Sequence, residues 1–176
     1  MNRIPKIASL AAVVALLTAC GGSTTGGLAD AGPATRPAGS AELLQQVRSA
    51  GQVGDELDVQ PLRDPRVEDL RAAATQAEAR GDYAGATRLL AQAAQLTPED
   101  PDLLQWQAEM ALVSRDWAGA EALASHSWNR GPRLGGLCRR NWTTRRIAAD
   151  ARGDAAAAAQ AQQQVAACKV APPNRF

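Results

Sequence analysis

In residues 41–49 (AELLQQVRS) the apolar positions Leu43, Leu44 and Val47 fall on one side of a 3.6-residue period, and Gly51 supplies a stop, so the spacing predicts a short amphipathic helix. Residues 54–63 keep neither a helical nor an alternating period; they read as a packed connector, extended at Leu57-Asp58-Val59. From Val67 onward the pattern is helical and regularly interrupted. Leu70, Ala73, Ala74 and Ala77 precede Gly81-Asp82; Ala86, Leu90 and Ala93 follow it, and Pro98 ends the run. Leu104, Ala108 and Ala111 precede Arg115-Asp116; Ala120 and Ala124 follow, and Pro132 ends that run. A third stretch places Trp142 and Ala149 before Gly153-Asp154 and Ala158 after it. The pattern predicts an all-α chain with its helices in pairs.

The interruptions share wording. Residues 81–86 read GDYAGA, and residues 115–120 read RDWAGA, an offset of 34 positions. Gly153-Asp154-Ala155 returns after 38. Self-similarity at a fixed period marks a solenoid, and 34 is the tetratricopeptide period, so residues 67–170 resemble that repeat family. The resemblance implies a short α-solenoid of about three helical hairpins. Glycine suits a left-handed turn, aspartate caps the second helix, and small residues allow close approach. Tyr83 and Trp117 then fill the seams between hairpins. Residues 41–49 add a further helix that covers one end. The chain departs from the pattern at Gln107 and Arg145, which replace apolar motif residues, and at Gly135-Gly136, which accompany a four-residue insertion. The third unit also lacks its proline. A single long helix or coiled coil is the alternative, and the regular prolines and glycines oppose it.

The beginning of the chain follows other rules. Arg3 and Lys6 precede the apolar run Ile7–Ala19, which is too short to cross a ~30 Å hydrocarbon core. Residues 1–19 therefore read as a secretory signal peptide. Leu17-Thr18-Ala19-Cys20-Gly21 resembles the bacterial lipobox. That resemblance implies cleavage before Cys20, a diacylglyceryl group on its thiol and an acyl chain on its amine, which together give stable membrane anchoring. Gly21 in place of aspartate implies sorting to the outer membrane, on the periplasmic side. Residues 20–40 are rich in Gly, Ser, Thr, Ala and Pro and read as a flexible linker with a reach of roughly 25 Å. Residues 41–66 form the helix and connector, 67–170 the repeat domain and 171–176 a tail.

Two further cysteines, Cys138 and Cys168, fall in the hairpin scheme at the start of one helix and the end of its antiparallel partner. In an oxidising compartment they are expected to form a disulfide. A redox pair would need the closer CxxC spacing.

Composition adds one feature. The net charge is +1, but residues 130–152 hold seven arginines (130, 133, 139, 140, 145, 146, 152) against the single acid Asp150. Arg139, Arg140, Arg145 and Arg146 are candidate anion-binding residues. No GxSxG, P-loop or metal-spaced cluster occurs, and His126 is the only histidine. No catalytic residue, metal or cofactor is expected, and nucleic acid is an unsuitable partner for an envelope protein.

The expected function is a non-enzymatic, lipid-anchored adaptor or assembly factor that docks an envelope protein on the face lined by the first helix of each hairpin. Helix phase makes Glu68, Arg71, Thr75 and Glu78 the candidates in the first unit. Gln105, Glu109 and Leu112 are those of the second, and Arg140, Thr143 and Ile147 those of the third. The rival expectation is a binder of anionic envelope polymer or lipid head groups through the arginine cluster.

Overall fold

The computed structural model describes residues 38–52 and 62–169. The signal segment, Cys20, most of the linker, most of the connector and the tail lie outside them. The described residues form seven helices: α1 Ser40–Gly51, α2 Pro65–Ala79, α3 Tyr83–Leu96, α4 Pro101–Val113, α5 Trp117–Arg130, α6 Gly135–Ala151 and α7 Ala155–Ala167. No strand occurs among them. Helices α2/α3, α4/α5 and α6/α7 are antiparallel hairpins stacked in chain order, a short α-solenoid.

The repeated phrase is one turn built three times. Gly81 and Gly153 have φ of 76° and 75°, the left-handed region. Arg115 takes the same place with φ 63°, a conformation that a side chain disfavours. The next residue closes the turn: Asp82, Asp116 and Asp154 donate their amides to the carbonyls of Ala77, Ala111 and Ala149 at 2.9, 2.9 and 3.0 Å. Each aspartate then caps the following helix. Asp82, Asp116 and Asp154 accept from the amides of Gly85, Gly119 and Ala157 at 2.7, 2.9 and 2.9 Å. Asp64-Pro65 and Asp100-Pro101 start α2 and α4 with a capping acid and a proline at the first helical position.

Three apolar clusters lie between the helices. The first joins Val67, Ala74, Ala86, Leu90, Leu103 and Met110, with Tyr83 packed against it. The third joins Cys138, Trp142, Ala161 and Cys168, and the Cys138–Cys168 disulfide closes it. The second contains Leu43 and Val47 of α1 with Leu112, Ala120, Ile147 and Ala148. α1 therefore does not cover an end of the solenoid, as its position in the sequence suggested. It lies on the inner face, against the first helices α4 and α6. The reason is apolar area: Leu43, Leu44 and Val47 are at most 7 % exposed there, each contributing about 1.5–3 kcal/mol. No helix among the described residues is long and apolar enough to cross a membrane.

Candidate functional site

The inner face is where α2, α4 and α6 present the residues singled out by helix phase. α1 changes what they can do. Gln105, Glu109 and Leu112 are fully buried, and Thr143 and Ile147 are nearly so. These five do not form an open docking surface: Leu43 and Val47 sit over Leu112 and Ile147, Arg48 reaches Glu109, and Gln105 turns to Glu109 and Thr144 between α4 and α6. Arg71, Glu78 and Arg140 are half-buried, and Glu68 and Thr75 are exposed.

A network of charges runs under and beside α1. Arg48 of α1 pairs with Glu78 of α2 at 2.9 Å and with Glu109 of α4 at 2.9 Å. Arg140 of α6 pairs with Glu109 at 2.7 Å and with Asp102 at 3.0 Å. Arg71 of α2 pairs with Asp102. Gln105 donates to Thr144 at 2.8 Å and to Glu109 at 3.2 Å. Trp106 donates its indole N–H to Glu78, and the Arg71 guanidinium lies 5.1 Å from the Trp106 ring centre. Charges taken this far out of water persist only when paired.

The network shifts its members' protonation. Burial penalises the Arg140 charge, but Glu109 and Asp102 outweigh it and hold the guanidinium above its ordinary value. Arg48 behaves alike, burial opposing and Glu78 and Glu109 prevailing. Burial raises Asp102, yet Arg140, Arg71 and Arg63 pull its carboxyl below the ordinary carboxylate value. The result is a fixed set of ion pairs linking α1, α2, α4 and α6.

A cleft remains between α1 and α2, whose backbones do not come within 8 Å Cα–Cα of each other. Its volume is about 280 Å³. Thr75 and Glu78 form one wall, Arg48 and Gln52 the other, and Trp106 lies in the lining between them.

The arginine cluster of the sequence is dispersed in space. Arg139 is nearly buried and donates to the carbonyls of Ala50 at 2.9 Å, Gly51 at 3.4 Å and Cys168 at 3.3 Å. Arg140 enters the inner network. Arg145 lies 3.9 Å from the Trp142 ring centre, and Arg146 pairs with Asp150 at 2.8 Å. Arg133 lies 3.6 Å from the Trp128 ring centre, Arg130 pairs with Glu99 and Arg152 with Glu121. The four candidate anion-binding side chains turn to four different partners within the fold, so they do not converge on one anion. Arg130, Arg139, Arg140 and Arg152 are met by groups distant in sequence, and Arg133, Arg145 and Arg146 by near neighbours.

Sequence reasoning missed the end of α6. Its first turn gathers the C-terminal carbonyls of two other helices, α1 and α7, around Arg139. The Gly135 amide also donates to Cys168 O at 2.8 Å. Gly136 lets α1 approach: a Cβ there would stand 2.7 Å from Gly51 O. Carbonyl ends carry partial negative charge, so a buried cation suits them.

No protein-family model matches the sequence, and no curated protein matches it. Among solved structures the chain is similar to the globular C-terminal domain of P. aeruginosa LpoP. The two are 28% identical with a TM-score of 0.56, over 60% of this chain and 99% of that one.

Proposed function

We propose that this protein is a lipid-anchored adaptor of the bacterial envelope, in which a tetratricopeptide-like solenoid holds a helical segment of a partner protein on its inner face. The observation that carries this reading is α1 itself. The inner face already holds a helix, through apolar contacts at Leu112 and Ile147 and ion pairs at Glu78 and Glu109. The surface is thus chemically suited to an amphipathic helix. The likeness to the LpoP domain supports an envelope protein of this kind, and the lipobox-like residues around Cys20 supply the anchor. The fold by itself is compatible with many functions.

The test is photo-crosslinking in intact cells from two positions. Thr75 is exposed on α2 beside the cleft; Thr87 is exposed on α3, a second helix. A crosslinker at Thr75 should capture an envelope protein that a crosslinker at Thr87 does not. Equal capture from both, or none from Thr75, would count against the inner face.

A further inference from the structure

Four observations about α1 bear on how a partner reaches the inner face. First, α1 is joined to α2 through residues 52–64, whereas each hairpin turns in three residues (80–82, 114–116, 152–154). Second, α1 comes closest to α4 and α6; it is linked to α2 by the Arg48–Glu78 ion pair and by Leu44 in the first apolar cluster. Third, α1 enters the apolar clusters unevenly: the first takes just Leu44 and the third takes nothing, while Leu43 and Val47 are concentrated in the second, so the terminal hairpin α6/α7 keeps a core of its own. Fourth, α1 has 12 residues, at the lower edge of the length at which an isolated helix is more than marginally stable in water. Docking therefore contributes to its helicity.

We infer that α1 is a strap that can leave the inner face, and that the partner segment which replaces it is an amphipathic helix with the same pattern. This rests on the adaptor reading above and names the chemistry of its partner. The pattern is set by what α1 covers. Leu43 and Val47, one turn apart, meet Leu112, Ile147 and Ala148. Arg48, the next residue, meets Glu78 and Glu109. The C-terminal carbonyls meet Arg139.

When α1 leaves, Glu78 and Glu109 lose a cation, and Leu112 and Ile147 face water. An occupant with apolar residues at the positions of Leu43, Leu44 and Val47 and a base directly after the last restores these contacts. An acidic helix would place like charge on Glu109, which is fully buried, and is rejected. Because α1 is tethered, it competes at the high effective concentration of an intramolecular ligand. A partner therefore gains the face by exchange, and weakening α1 should strengthen binding in trans.

The experiment uses the full chain with its disulfide intact and a fluorescein-labelled peptide of residues 38–52, followed by anisotropy. Arg48→Glu in the chain sets α1 against Glu78 and Glu109 while leaving α4 and α6 unchanged. The R48E chain should bind the wild-type peptide at least tenfold tighter than the wild-type chain does. Val47→Asp, which unseats α1 by an apolar loss instead, should act the same way. Adding Ile147→Asp to R48E should abolish the gain. The inference is overturned if the peptide binds R48E and V47D no tighter than wild type. It is also overturned if both chains lose cooperative unfolding, because α1 would then be an inseparable part of the fold. The readout needs no cellular partner. Peptide exchange without any captured protein would defeat the adaptor reading alone, and a captured protein without peptide exchange would defeat the strap alone.

Discussion

The guanidinium of Arg139, in the first turn of α6, donates to the carbonyl of Ala50 at 2.9 Å, near the C-terminal end of α1. The two residues are 89 positions apart. The same side chain reaches Gly51 O and Cys168 O, so one buried cation ties the ends of α1 and α7 to the start of α6. A positive charge at a helix N-terminus is ordinarily unfavourable. Here the carbonyl ends of two other helices offset it.

Arg139→Leu removes these donors and leaves the carbonyls of Ala50 and Gly51 short of partners, while Cys168 O keeps the Gly135 amide. Unpaired buried acceptors cost about 1–3 kcal/mol each at most, partly relieved if α1 frays into water. Urea unfolding should show a loss of roughly 2–4 kcal/mol on that basis. Arg139→Lys should recover only part of it, because an ammonium lacks the planar fork.

Glu109 is fully buried between Arg48 and Arg140. Truncation to alanine leaves Arg140 without its closest acid. Breaking a buried pair from one side costs about 3–5 kcal/mol, and the urea midpoint should fall accordingly. A loss below about 1 kcal/mol, the range of exposed pairs, would mean that the pair is solvated.

Acid should weaken the inner network. The folded-state carboxyl of Asp102 lies below its ordinary value, so the unfolded chain takes up that proton first as pH falls. Its contribution is complete above the ordinary value of 3.8 and is lost as pH drops through the lower folded value. Asp102→Asn should therefore be less stable than wild type at neutral pH. The gap should close below pH 3.8, as read from unfolding at a series of pH values.

Arg115 stands where the other two hairpin turns have glycine, and its φ of 63° is left-handed. Glycine there removes strain of about 1 kcal/mol, against the loss of a 3.3 Å bond to Ala38 O and a cation–ring contact with Trp117. Exposed contacts of that kind contribute little. Arg115→Gly should raise the melting temperature by about 2–4 °C; a decrease would show that the contacts outweigh the strain.

Much of the fold was legible because its signals are local. The left-handed turn residue, the capping aspartates and the stopping prolines act within a few positions of themselves, and they set the hairpins. The Cys138–Cys168 bond followed from placing those helices side by side. α1 was legible as a helix, and its buried triad was right, but a stripe says which side is covered and not by what. The turn at Arg115 was legible from the repeat, but its left-handed backbone was not, because only the other two turns carry glycine there. The inner-face residues had the right phase, yet five of them are buried, and Glu109, Leu112 and Ile147 are covered by α1. The arginines misled most. Arg139, Arg140 and Arg145 read as an anion-binding cluster because their partners at Ala50, Glu109 and Trp142 are invisible to a charge count along the chain.

Hydrogen exchange of the α1 amides is the most direct test of a helix held on the inner face. In the full chain, amides from Val47 to Gly51 should exchange far more slowly than those of an isolated peptide of residues 38–52, and Arg48→Glu should abolish that protection while α4 and α6 stay protected. Exchange at the free-peptide rate in the wild-type chain would contradict the account.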